Sequence, residues 1–173
     1  MHCIQYIAVK ADNKEEAHSE VKFYLEGLMG DENNFSTWYD WFVTGGGRWA
    51  TSDDPYDDNY TGDVAHQSSA SFQAHLDKAK EYRQAEIKNY VEQARKVNLT
   101  ELLDMVDLED EYNFKVGHEL YHIKKLYDVT MGTWDYTSYF FDKEHDTIVT
   151  KYMLEAIDKG DKDWYLVPVD FHF

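Results

Sequence analysis

The sequence is short of the residues that staple a fold or anchor it elsewhere. Its 173 residues hold one cysteine, Cys3, which excludes an intramolecular disulfide and a thiolate zinc cage. Cys3 reads instead as a small apolar residue of an opening strand. No apolar run nears the roughly 20 residues that cross a bilayer, and Met1-His2-Cys3-Ile4 lacks the basic and apolar blocks of a secretory signal. The expected location is therefore cytoplasmic. There is no G-x-S-x-G, no Walker A loop and no Rossmann glycine pattern, so the common nucleophile and dinucleotide signatures are missing. Internal repeats, low-complexity tracts and strong linkers are also missing, which points to a single domain over residues 1–173.

Basic residues are scarce as well. Seventeen Lys and Arg face 34 Asp and Glu, a formal charge of −17. Such a surface repels a nucleic-acid backbone and an anionic membrane, and it attracts a basic protein. The acids gather in two places. Asp53, Asp54, Asp57 and Asp58 lie in a polar, aperiodic stretch from Ala50 to Ser71 that reads as a loop. Asp104 lies in a short helix capped by Thr100, and Asp107, Glu109, Asp110 and Glu111 continue the acidic run after it. These nine are the candidate interaction surface. The loop lacks the ligand order of an EF-hand, so calcium is not expected there.

What is abundant is aromatic: 16% of the chain is Phe, Trp or Tyr, and 43% is hydrophobic, enough to offset the entropy of ordering a core. Cys3 to Val9 reads as an interior strand with apolar groups on both faces, and a helix from about Asp12 ends at Gly30. The stretch from Trp38 supplies a second strand beside the first. Phe72 to Val97 marks a long amphipathic helix, and Asn113 to Asp128 another that stops before Gly132. Tyr136 to Asp142 alternates as a strand, Ile148 to Ile157 has helical spacing, and Trp164 to Phe173 closes as a strand. Strand-helix-strand at both ends predicts an α+β, ferredoxin-like sandwich with a helical insertion at about 66–130.

Two segments carry candidate chemistry. In Trp38-Tyr39-Asp40-Trp41-Phe42-Val43-Thr44-Gly45-Gly46-Gly47-Arg48-Trp49, an aromatic strand runs into three glycines and an arginine. Arg48 is either a fork for a carboxylate or phosphate, or a structural partner of Asp40. His118-Glu119-Leu120-Tyr121-His122 matches H-E-x-x-H, which sets two imidazoles one helical turn apart for zinc and a glutamate as general base. On a helical wheel, however, Val116, Leu120, Ile123 and Tyr127 form the apolar seam, and both histidines point away from it beside Lys115 and Lys125. A third ligand would have to come from Glu144, His145 or His172. An exposed helix face is the favoured reading, with no cofactor. The alternative is a zinc metallopeptidase using His118 and His122.

Tyr39-Asp40-Trp41-Phe42, Gly46-Gly47-Arg48-Trp49 and the ending Val169-Asp170-Phe171-His172-Phe173 together resemble a set of small bacteriophage proteins with an aromatic-Asp-Trp-aromatic, Gly-Gly-Arg-Trp segment and an Asp-x-His ending. Gly45 and the acidic helical middle depart from that pattern. The resemblance implies a phage accessory gene acting in the host cytoplasm. It also implies convergence of Asp40, Arg48, Asp170 and His172, as a polar cluster or as a ligand pocket. The resulting expectation is a non-enzymatic acidic protein that binds and inhibits a basic or nucleic-acid-binding host protein, as an anti-defence or host-takeover factor, with a DNA mimic as one form of it. A nucleotide or other small anion held at Arg48 is the further alternative.

Overall fold

The computed structural model describes residues 1–30, 37–106, 113–148 and 163–173. The chain forms two compact units, one of Met1–Lys80 with Trp134–Phe173 and one of Glu81–Thr133.

The first unit is built on a mixed sheet with five strands among the described residues, β1 (His2–Lys10), β2 (Trp41–Thr44), β3 (Ala65–His66), β4 (Phe140–Asp142) and β5 (Trp164–His172). Its order is β2-β5-β1-β4, with β3 also pairing β5. β5 pairs antiparallel with β1 over nine residues, from His2 opposite His172 to Lys10 opposite Trp164. β2 also runs antiparallel to β5, so β1 and β2 are parallel and lie on either side of it. β4 adds parallel to β1 at the far edge.

The expected neighbourhood of β2 and β1 therefore needs correction. The closing strand sits between them, because a β-α-β connection returns parallel to its first strand and leaves room for one antiparallel strand in the gap. The strand expected from Tyr136 is confined to Phe140–Asp142, and the expected loop from Ala50 contains the short β3. β1 is interior, as its two apolar faces require. The helix expected over Ile148 to Ile157 lies almost wholly outside the described residues.

Side chains alternate across a strand, so one face carries Ile7, Val9, Val167, Val169 and Phe171. All are fully buried, and α1 (Lys14–Gly30) packs Ala17, Val21 and Leu25 into the same core. Asn13 starts that helix by accepting the Glu16 backbone N–H, 2.8 Å, while the Glu16 carboxylate reaches back to the Asp12 N–H, 3.0 Å, a reciprocal cap. Gln5 is the polar exception within this face, fully buried. Its amide donates to the Asp135 carbonyl, and its oxygen accepts from the Trp134 indole, which satisfies it.

The opposite face is covered at one end only. There α2 (Ala70–Ala94) lays Phe72, Leu76 and Ala79 over Ala8, Leu166 and Trp164. The rest of that face, towards His2, is where the polar residues gather.

In the second unit lie the later part of α2, α3 (Leu99–Met105) and α4 (Phe114–Met131). α3 is capped by Asn98 rather than Thr100: the Asn98 side chain accepts the Thr100 N–H, 3.1 Å, the short polar acceptor falling two residues before the N–H it satisfies. Gly132, at φ 80°, ends α4 with backbone bonds to Asp128 and Val129, a left-handed C-terminal stop. No helix among the described residues is long and apolar enough to cross a membrane.

Candidate functional site

Register brings the site together. His172 is opposite both His2 and Trp41, while Asp170 is opposite Ile4 and Val43. These residues share one sheet face in two adjacent rows, at the end that α2 leaves uncovered. Asp170 is 2% exposed, and a carboxylate so buried needs partners for both oxygens.

The three glycines bring one partner in. Gly45, Gly46 and Gly47 have φ of 84°, 101° and 52°, a left-handed run that reverses the chain after β2. At Gly47 an added Cβ would stand 2.5 Å from the Asp170 Cβ, so only glycine lets the backbone pass over that carboxylate. The next residue then donates its backbone N–H to Asp170 Oδ2, 3.3 Å, and the Arg48 Nε lies 3.5 Å from the same oxygen.

The other oxygen of Asp170 is 2.9 Å from His2 Nδ1, and His2 Nε2 is 2.8 Å from an Nη2 of Arg48. An arginine nitrogen can only donate, so His2 Nε2 accepts. The proton of His2 is then on Nδ1 and is given to Asp170. Arg48, His2 and Asp170 form a closed loop of hydrogen bonds in which each tautomer is determined.

Arg48 nevertheless keeps part of its fork open. Its side chain is 49% exposed, and its Nη1 has no protein partner among the described residues.

At the sheet edge, His172 Nδ1 is 2.6 Å from Asp40 Oδ1, and the imidazole stacks on Trp41 with centroids 5.4 Å apart and planes 13° apart. The hydrogen bond from His172 holds the exposed Asp40 carboxyl below its ordinary range. His2 meets the rings of His172 and Trp41 edge-on at 4.9 and 5.2 Å. The four residues expected to converge thus form two pairs on one edge, with Asp170 rather than Asp40 as the ion-pair partner of Arg48. His2 joins them and was missed. Period-2 spacing from Ile4 and Tyr6 would have put it on their face, but its partner across the strands is not visible in sequence.

Beside this cluster the same face forms a cleft of about 520 Å³, walled by Ile4, Tyr6, Trp49, His66, His75 and Pro168. Trp49 is 44% exposed and directly follows Arg48. Tyr6 and His75 stack at 3.8 Å, and His75 Nδ1 is 2.7 Å from the Tyr139 hydroxyl. Burial, with Lys78 nearby, lowers the His75 pKa, while burial raises those of both tyrosines. The rings are therefore neutral near pH 7. Thr51 donates to both oxygens of Asp63 at the cleft, 2.6 Å each.

The H-E-x-x-H segment, in the second unit, lies on α4. His118 is 88% exposed and 3.8 Å from Glu119. His122, expected to point outward, is instead half-buried near Tyr90 and Tyr121. Tyr127 is 63% exposed, and Lys125 and Val129 are buried. The helix is thus covered on the side opposite the expected seam, because a single apolar stripe was read where the helix has contacts around more of its surface. Of the proposed third ligands, His145 is bonded to Asp142 and His172 to Asp40, and Glu144 accepts the Lys10 N–H. Among the described residues there is no group of three His, Cys, Asp or Glu that could hold a metal ion.

The acidic loop is partly structural. Asp58 binds Lys22 and accepts from the Thr44 N–H and hydroxyl. Burial opposes its ionisation, but these bonds outweigh it and hold its carboxyl below the ordinary range. Asp53, Asp54 and Asp57 are exposed, as is Asp104 on α3. Asp107, Glu109, Asp110 and Glu111 lie outside the described residues. Cys3 is half-buried, and burial pushes its thiol up to about 11, which leaves it unreactive. The chain matches no known protein-family profile, no curated protein and no solved structure.

Proposed function

We propose that this protein binds a small anionic ligand, with Arg48 as the recognising group. The observation that carries this reading is the arginine's asymmetry. One edge is fixed by His2 and Asp170, Nη1 has no partner among the described residues, and the next residue, Trp49, lines an open cleft. A guanidinium whose rotamer is already ordered loses little entropy when it grips a carboxylate or phosphate. A thermal-shift screen of carboxylates, phosphates and nucleotides tests it: a stabilising anion whose effect disappears in Arg48→Gln supports the reading, and no response to any anion makes Arg48 structural.

A second reading has its own support. Tyr56 is 71% exposed between exposed Asp53, Asp54 and Asp57, and an exposed ring among carboxylates is a suitable anchor for a basic protein. On the resemblance to phage proteins, that partner would be a host factor that the chain inhibits. Salt-sensitive capture of a basic host protein, lost in Tyr56→Ala, tests it. The split strand-helix-strand unit favours a ferredoxin-like relationship, from which the central closing strand and the parallel β1–β4 pair depart.

A further inference from the structure

We infer that the ligand is a nucleoside monophosphate, its base lying in the cleft and its phosphate at Arg48. The inference rests on the anion reading above and adds the chemistry of the rest of the molecule.

The walls are suited to a flat ring. Trp49 presents an indole that is nearly half exposed, and Tyr6 and His75, stacked on each other, line the same cleft. Indole, phenol and imidazole surfaces accept any planar heterocycle by stacking. A heterocycle also needs hydrogen bonds at its edge. His75 is held by Tyr139 through Nδ1 and has no protein partner at Nε2 among the described residues, and the Ser69 hydroxyl lies on the same cleft.

Spacing separates the two ends. His2, Ile4 and Tyr6 follow one another on the same face about 6.8 Å apart. Arg48 bonds both His2 and Asp170, and Asp170 is opposite Ile4, so the guanidinium stands at those two rows, one step from Tyr6. A ring in the cleft over Tyr6 and its cross-strand partner Pro168 would then lie about one strand step from the arginine, a gap that a ribose can bridge.

Charge limits the phosphate. Arg48 shares its charge with Asp170, Lys14 is the one cation on the cleft among the described residues, and Asp63 lies there too. The chain is strongly acidic throughout. One phosphate can be accommodated, whereas a triphosphate would bring charge that nothing present neutralises.

The test is titration of the intact protein with the four ribonucleoside 5′-monophosphates, the corresponding nucleosides, ribose 5-phosphate and inorganic phosphate, read by calorimetry and tryptophan fluorescence. At least one monophosphate binds saturably and at least tenfold more tightly than its nucleoside and than ribose 5-phosphate. Trp49→Phe removes most of the fluorescence response, and Arg48→Gln weakens the monophosphate at least tenfold while leaving the nucleoside unchanged. If ribose 5-phosphate or inorganic phosphate binds as tightly as every nucleotide, the base site is wrong and the anion site stands. Nucleotide binding that is indifferent to Arg48→Gln overturns both the phosphate placement and the anion reading, and absence of binding by all probes overturns the inference. Because ring and anion are compared on the unmodified protein, the result does not depend on either variant folding.

Discussion

The two faces of one sheet have opposite fates. Alternate residues of β1 and β5 go under α1, where Ile7, Val9, Val167, Val169 and Phe171 are all fully buried. Their neighbours on the other face include His2, Ile4 and Tyr6, which are only half-buried, and Asp170, whose burial depends on an arginine and a histidine. The same strands thus supply a closed hydrophobic core and an open polar site. The comparison teaches that stability and recognition are divided by residue parity, so substitutions one position apart should differ in kind.

The largest effect is expected on the closed face. Phe171→Ala removes a fully buried ring that touches Trp38, Tyr39 and Trp134. It should cost about 3–5 kcal/mol, measured as a lower urea midpoint with little change in m. If the loss is under about 1 kcal/mol, the α1 face is not the one that stabilises the sheet. On the open face, Gly47→Ala puts a Cβ in a left-handed conformation and against Asp170. A cost of roughly 2 kcal/mol follows from backbone strain and overpacking. Because the contact is with Asp170 itself, this variant should also displace Arg48 and abolish the anion response. A variant that is destabilised yet keeps that response would separate the turn from the site.

Much of the closed face was legible in advance. Strand and helix periodicity located β1, α1, the long α2, α4 and β5 as elements, although on α4 the stripe it marked is not the side that is buried. The aromatic-glycine segment stood out because bulky rings run straight into three glycines and an arginine, whereas the terminal Asp-x-His was marked only by the resemblance to phage proteins. What could not be read was pairing. Asp170 rather than Asp40 holds Arg48 because β5 lies between β1 and β2, a long-range register that local patterns do not encode. His2 joined the site for the same reason. The H-E-x-x-H motif records spacing along one helix, and the apolar stripe read on that helix did not show that His122 is half-buried.

The smallest effect separates the faces by pH. Each has a histidine whose pKa burial lowers from its ordinary 6.5: His18, 5% exposed on α1, and His75 at the cleft. Asp58 counteracts the shift at His18, and Lys78 adds to that at His75. Between the folded value and 6.5 the unfolded chain binds more protons, so stability is full above 6.5 and falls as pH drops through the folded value. Urea midpoints from pH 7.5 to 5 should therefore decline, and His18→Leu should flatten the decline by removing an imidazole whose Nε2 is buried without a hydrogen-bond partner. A ligand that fills the cleft should steepen the dependence that His75 contributes, since occupying the cleft removes that ring further from water while His18, under α1, is untouched. A slope that the ligand alters equally in His75→Leu and in the parent protein would break the contrast between a sealed face and an open one.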